Sequence, residues 1–384
     1  MTDILPPRDH PSHPAVDAAS TVSALVRARA DEAEQTRRLP ADLVAALTDA
    51  GLFRLFVPTA YDGPETDPLD GLEAIETVAY ADAAAGWCVN IASTTSTMSW
   101  YLAPEWARTI YGNPGNVTGG TFMPNGRGRK VDGGYVIDQG RWPWGSGTQH
   151  CQWVNCGVRM DDGTFQLAFV PADEVDFADN WFSSGLAGTG STDFEVRDAF
   201  VPDGRSLQPG LTRTHVDTPL CHYPNFGLLA AGLAHVALGI GRRAVDDLAR
   251  LATEARPAMS SKPLAESAIV QLELARAEAE LSAARAFVRD EVGRVWAAVQ
   301  AGRRVGLAER ARLRLACHHA AATAAAATDR VYTVAGGTAV YRSSSLQRCL
   351  RDVHVATQHA MLSPRNLETY ARVRLGLDAD TTLL

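Results

Sequence analysis

"RKVDGGYVIDQGRWPWGSGTQHCQWV", Arg129 to Val154, is where the chain changes from one kind of structure to another. Its first half places short β-prone runs on either side of Asp132-Gly133-Gly134, a turn signal that predicts a hairpin. Its second half packs three tryptophans (Trp142, Trp144, Trp153), three glycines and Ser146 between Gly140 and Trp153. That half is too apolar for a solvated loop and too rich in glycine for a packed strand.

Outward from this stretch the period of the apolar residues divides the chain. Upstream, residues 16–114 read as an N-terminal helical domain. There "LPADLVAALTDAGLF" sets Leu43, Val44, Leu47 and Leu52 at helical spacing, with Gly51 as the expected C-cap. Residues 115–210 read as a central β-barrel domain. "WVNCGVRMDDGTFQLAFVP" repeats the hairpin pattern around Asp161-Asp162-Gly163, and "TDFEVRDAFVP" adds an alternating strand. From 211 to 384 the helices return and are long. Val270, Leu274, Ala277, Leu281, Ala284, Val288, Val292, Val295 and Val299 step by three or four, as the seam of a four-helix bundle does. The predicted class is therefore α+β, a β-domain set between helical halves. Residues 1–15 carry no apolar run and are expected to form a disordered arm.

Composition removes several function classes. With 46% hydrophobic and 21% charged residues in 384, the chain is expected to be a soluble globular protein of more than one packed layer. A net charge of -8 without a basic run argues against nucleic-acid binding, which needs cations to neutralise phosphates. No segment approaches the ~18 consecutive apolar residues of a membrane span, and the first residues do not form a signal peptide. Six cysteines are scattered at Cys88, Cys151, Cys156, Cys221, Cys317 and Cys349 without a CxxC pair, which points to a reducing cytoplasm and no zinc site.

Common catalytic templates also fail. His318-His319 are adjacent and His354 and His359 are five apart, so neither pair has the spacing of a helical metal site, and no metal is expected. There is no P-loop and no GxSxG elbow. "GLAGTGSTD" precedes a β-run instead of opening a helix, which rules out the dinucleotide fingerprint. What remains is a set of indoles and glycines around Ser146, a second hydroxyl-rich turn at Gly188-Thr189-Gly190-Ser191, and a histidine-bearing C-terminal segment. A planar heteroaromatic cofactor would use such parts; a plain β-domain core with tight turns would also produce them.

Four segments carry a family resemblance running from about residue 20 to 376. They are "RRLPADLVAALTDAGLFRLFVPTAYDGPE", "VDGGYVIDQGRWPWGSGTQHCQWV", "GLAGTGSTDFEVRDAFVP" and "LQRCLRDVHVATQHAML". In this order they resemble the acyl-CoA dehydrogenase fold superfamily, in its branch of two-component flavin-dependent monooxygenases (the group D hydroxylases). Asp62 stands where glycine is usual in that family, and Ala187 where many relatives carry arginine. The resemblance implies that Trp144, Ser146 and Gly147 lie against a flavin, and that Thr189 and Ser191 form a second flavin-contacting turn. It implies that Gly336 and Gly337 approach the cofactor from a neighbouring subunit of a homotetramer.

A dehydrogenase of this fold needs a glutamate base in one of two regions, and both lack one: there is no glutamate between Glu195 and Glu254, nor between Glu309 and Glu368. The C-terminal segment offers His359 instead, whose reference pKa near 6.5 suits proton transfer or hydrogen-bond donation. The activity implied is oxygenation of a small, aromatic-leaning substrate through a flavin C4a-hydroperoxide, with His359 and Ser146 as catalytic residues. Reduced FMN, with FAD as the alternative, would come from a separate flavin reductase. The rival readings are a flavin dehydrogenase with an atypical base and a non-catalytic partner subunit.

Overall fold

The computed structural model describes residues 13–254 and 262–384, so the expected arm at 1–15 lies outside the described residues except for its last three. Those three already belong to ordered structure. His13 caps the first helix, α1 (Pro14–Thr36), by accepting the Ala15 N–H on Nδ1, and Pro14 supplies a preset φ in the first turn. After α2 (Ala41–Asp49) come α3 (Pro68–Ala81), α4 (Ala83–Thr95) and α5 (Pro104–Tyr111). Asp82 separates α3 from α4: its extended backbone ends the first, and its carboxylate caps the second by accepting the Ala85 N–H. Every residue of α4 except Ile91 is buried, so this helix is the axis on which the other layers pack.

The sheet comprises β1 (Thr118–Val131), β2 (Gly134–Gly145), β3 (Trp153–Met160), β4 (Phe165–Pro171), β5 (Asp176–Phe177), β6 (Thr192–Pro202) and β7 (Ser206–Leu207). Asp132-Gly133 turns β1 into β2, with Val131 opposite Gly134. The order is β5-β6-β2-β1-β3-β4-β7. The ladders do not close, and this corrects the expected barrel: the two-residue strands β5 and β7 end a curved sheet. Only β1 and β3 run parallel; the other pairs are antiparallel.

Downstream, α6 (Asn225–Glu254), α7 (Ala268–Gln300) and α8 (Leu307–Ala335) are long, and α9 (Ser345–Thr357) and α10 (Arg365–Arg374) are short. All nine seam residues of α7 are buried except Leu274, which is partly so. Ala316, Ala320, Ala321, Ala324 and Ala327 of α8 are buried too, which lets α8 approach α6 and α7 closely. Helix α6 is long and apolar enough to cross a membrane, but 83% of its apolar window lies inside the protein, where it packs on α3, α4 and α8. It is the central helix of a core, not a span.

Trp142 shows what fixes the sheet. Its indole is fully buried, stacks on Phe194 with ring centroids 5.3 Å apart, and donates from Nε1 to the carbonyls of Met123 (3.0 Å) and Gly157 (2.9 Å). Trp142→Ala is therefore expected to cost about 3–5 kcal/mol of stability. Urea unfolding checks this, and a loss below about 1 kcal/mol would contradict the role given to this side chain.

Candidate active site

Trp142 and Trp144 are two apart on β2, so a regular strand would put both indoles on one face. The structure separates them. The β2–β6 register shifts between Trp142 and Gly145, and Trp144 takes a left-handed φ of 62°. This bulge turns Trp144 outward, 63% exposed, while Trp142 stays in the core. The apparent wall of three tryptophans is thus one core residue, one exposed face and a partly buried Trp153 beneath the Arg205 guanidinium. The indole that does reach Ser146 comes from elsewhere: Trp87 on α4 donates from Nε1 to Ser146 Oγ at 3.1 Å.

Ser146 heads a chain of hydroxyls. Its Oγ lies 2.6 Å from Ser191 Oγ, and that atom lies 2.6 Å from Thr189 Oγ1. Thr189 Oγ1 donates to the Leu186 carbonyl at 2.7 Å. A hydroxyl has one proton and two lone pairs, so this last bond sets the direction of the others. Thr189 has given its proton to Leu186; Ser191 therefore donates to Thr189, and Ser146 to Ser191. Ser146 also accepts from Trp87, which leaves it one free lone pair and no free proton. Around it Gly147, at φ 71°, donates its N–H to the Thr189 carbonyl (2.9 Å) and so joins the two turns. The structure thereby brings Ser146, Gly147, Thr189 and Ser191 together.

Trp87 also touches His359, whose ring stands edge-on to the indole at 5.7 Å between centroids. His359 caps a short turn, Ala360–Leu362, by accepting the Met361 N–H on Nδ1 at 3.2 Å. With Nδ1 an acceptor, the neutral ring carries its proton on Nε2. Burial, with a smaller contribution from the positive Arg314, pushes the His359 pKa down to about 4. The turn itself is gripped from α8 by two residues one helical turn apart: Arg314 donates to the Met361 carbonyl (2.8 Å), and His318 Nδ1 bonds the Leu362 carbonyl (2.7 Å). None of the hydrogen-bond or ion-pair partners of Trp87, Ser146, Thr189, Ser191 and His359 is a carboxylate.

Arg351 and Asp352, expected to form an interhelix or subunit ion pair, act in two directions within the chain. Arg351 pairs with Glu34 of α1 at 2.6 Å and donates to the Ser184 carbonyl. Asp352 is buried and accepts the Leu186 N–H at 2.6 Å. Gly185 lies flat on α9, where a Cβ would collide with the Arg351 carbonyl. His354 pairs with Asp329 at 2.8 Å. Gly336 and Gly337 follow α8 on an open surface beside exposed Val340 and Tyr341; none of the described hydrogen bonds or ring contacts ties them to the Ser146 cluster within one chain.

Sequence reasoning missed Trp87 and Arg314, and it gave Asp352 an ion-pair role where the structure has it accept the Leu186 N–H. For Trp87 a signal existed: a single indole in the apolar run "AAAGWCV" has an N–H that must find an acceptor once buried. It also did not anticipate Asp217, Cys221 and His222, whose potential ligand atoms lie within 4.8 Å of one another. The Cys221 thiol there already bonds the Val216 and Thr218 carbonyls, and burial raises its pKa, so it is poorly disposed to act as a thiolate ligand.

Comparison with known proteins follows the same outline. The acyl-CoA dehydrogenase N-terminal domain matches residues 17–105, and the acyl-CoA dehydrogenase C-terminal domain matches residues 231–364. Indole-3-acetate monooxygenase of Pseudomonas putida is 33% identical over 88% of this chain and 87% of that protein. The oxygenase subunit HsaA of a flavin-dependent monooxygenase of Rhodococcus jostii is 29% identical over 94% of this chain and 97% of its own. The structure of XiaF from a Streptomyces species, in complex with FADH2 and glycerol, superposes with a TM-score of 0.90 at 25% identity, over 96% of both chains.

The buried histidines have a consequence for stability. His150, His235 and His359 are each pushed down to about 4, chiefly by burial. Between about pH 6.5 and pH 4 each binds its proton more readily unfolded than folded, so stability falls with falling pH through that window, by up to ~1.4 kcal/mol per unit and histidine. Asp352, raised to about 7 by burial, acts oppositely, because there the folded state holds the proton; Asp82 shifts the same way. The three histidines outweigh Asp352, and the urea midpoint is expected to be lower near pH 5 than near pH 7. A midpoint that rises on acidification would refute this balance.

Proposed function

We infer the activity from a premise that the sequence and structural matches establish: the chain belongs to the acyl-CoA dehydrogenase family, in its branch of oxygenase components of two-component flavin-dependent monooxygenases. It is an oxidoreductase that uses reduced flavin, supplied by a separate reductase, together with O2. Beyond this coarser statement the reading is ours. The flavin is FMN in preference to FAD, and it lies across Trp144, Ser146, Gly147, Thr189 and Ser191. Gly336 and Gly337 reach it from a second copy within a homotetramer. The enzyme works in the cytoplasm, whose reducing conditions suit six free, buried thiols.

One observation carries this reading: the directed hydroxyl chain leaves Ser146 with a lone pair and no proton to give. A reduced isoalloxazine presents an N–H at its central ring that the oxidised form lacks, so an acceptor-only hydroxyl fits the reduced form. The exposed Trp144 indole offers a flat apolar face, and Gly147 lets a ring approach the backbone. The residues present fit the group. When bound, reduced flavin supplies the electrons with which O2 delivers one oxygen atom to the substrate and the other to water.

The chain's own residues orient and protect that chemistry. Trp87 fixes Ser146 from α4, a helix without a single charged side chain, which keeps the site poor in water. His359, in edge contact with Trp87, carries its proton on Nε2, and in this reading it donates that proton in a hydrogen bond to the reacting oxygen or to a polar substituent of the substrate. We carry over from the relatives only a class of substrate, a small planar aromatic compound such as the indole-3-acetate for which the Pseudomonas putida enzyme is named.

The test is anaerobic loading with reduced FMN and rapid mixing with oxygenated buffer. A transient absorbance that persists for seconds before oxidised flavin appears is expected. In Ser146→Ala the transient should decay about tenfold faster, as loss of a hydrogen bond worth ~1.4 kcal/mol would produce, with a smaller effect in Trp87→Phe. His359→Phe is expected to lower product formed per O2 consumed. Direct appearance of oxidised flavin in the unaltered protein would overturn the reading, and failure to bind either reduced FMN or reduced FAD would leave only a non-catalytic partner subunit.

A further inference from the structure

Arg314 sits in an unusual place for a guanidinium. It is fully buried in the middle of α8, and all its acceptors are uncharged: the carbonyls of Met361 (2.8 Å) and Leu383 (2.6 Å), Asn366 Oδ1 (2.9 Å) and Met361 Sδ (3.1 Å). Among the described residues it has no carboxylate partner, and its Nε finds no acceptor. A buried cation without a counter-ion is costly, and a simple helix-packing role would be served by an aliphatic side chain. Two of its bonds converge on Met361, the residue whose N–H holds His359 Nδ1. Asn366 braces the same carbonyl from α10 at 3.0 Å.

We infer that Arg314 is a positioning residue that fixes His359 as a neutral Nε2–H donor: it clamps Met361 so that the Met361 N–H occupies Nδ1, and it places an uncompensated positive charge beside the ring. The first action selects the tautomer and the second opposes a further proton. Among the described residues no side-chain carboxylate compensates that charge: the C-terminal stretch that reaches Arg314 through the Leu383 carbonyl carries Asp378 and Asp380, both exposed, and the Leu384 carbonyl accepts from Arg310. From α8 comes His318, bonded to the Leu362 carbonyl. The α6 stretch 225–241 contains only His235, fully buried and bonded to the Ala231 carbonyl. α4 has no charged residue, and on α10 Arg365 and Glu368 face solvent. On α9 itself, His354 is paired with Asp329, and Asp352 serves Leu186. The depression of the His359 pKa, with Arg314 as its second cause after burial, agrees with this arrangement.

The inference rests on the role given to His359 above, but its test reads the imidazole itself and so is independent of product formation. The full-length protein is labelled with 13C,15N-histidine, His359→Gln assigns the resonance, and the ring is titrated by NMR with and without reduced FMN. In the unaltered protein the ring should be neutral at about pH 6 and carry its proton on Nε2. Arg314→Gln should move the titration upward by on the order of one pH unit and mix the two tautomers. Arg314→Lys keeps the charge and loses the fork, so it should mix the tautomers while leaving the titration low. A protonated ring or a proton on Nδ1 in the unaltered protein at that pH would overturn the inference whether or not either variant folds. So would an Arg314→Gln protein, folded by near-ultraviolet circular dichroism, in which neither quantity moves.

Discussion

The candidate site depends on one hydrogen bond, from the Leu186 N–H to the carboxyl of Asp352. Leu186 and Gly190 both adopt left-handed backbone, and the turn between them closes on itself through Thr189 N–H to the Leu186 carbonyl and Gly190 N–H to the Ala187 carbonyl, which shapes it without fixing its place on the helices. Asp352 pins its first residue to α9, and Gly185 lets the chain lie on that helix. The Leu186 carbonyl then receives Thr189 Oγ1 and Trp181 Nε1. From that carbonyl the polarity of the hydroxyl chain runs to Ser146. The turn that follows β2 therefore takes its hydrogen-bonding character from a distant helix, through a bond between Leu186 and Asp352 that spans 166 residues of sequence.

The helical layers supply the other half. α4 brings Trp87 into contact with both Ser146 and His359, and α8 grips the turn that carries His359 through Arg314 and His318. The last segment of the chain thus touches the site twice, seven residues apart, once through Asp352 and once through His359. One helix, α9, sets the distance between the turn it anchors and the imidazole that follows its end.

Much of this was legible in the sequence, and the reason is periodicity. The α7 seam, the Asp132-Gly133 hairpin and the Gly51 helix terminator all depend on spacings of two, three or four residues, which a linear string displays directly. Ser146, Thr189 and Ser191 could be marked as polar residues in glycine-rich turns, and the structure brings them together. What was not legible depends on breaks in the pattern or on distance. The bulge at Pro143-Trp144 reverses the face of an indole; Pro143 inside the strand signals a break in the ladder, but not which of the two indoles it turns outward. The closed barrel was read from hairpins alone, although the shortness of β5 and β7 leaves the sheet open. Arg314 looked like one more charge on a helix, and nothing local reveals that its partners are uncharged groups 47 to 69 residues away.

The separation of Trp142 from Trp144 has a consequence for how such a protein diversifies. Without the bulge, any change at the exposed indole would also disturb the packing against Phe194, and recognition would be tied to folding. With it, position 144 carries no load in the core, so substitutions there can be sampled at little cost to the sheet, while position 142 stays constrained by two carbonyls and a stacked ring. Two indoles two residues apart are thus held to different tasks, one to the packing of the sheet and one to whatever surface lies outside it.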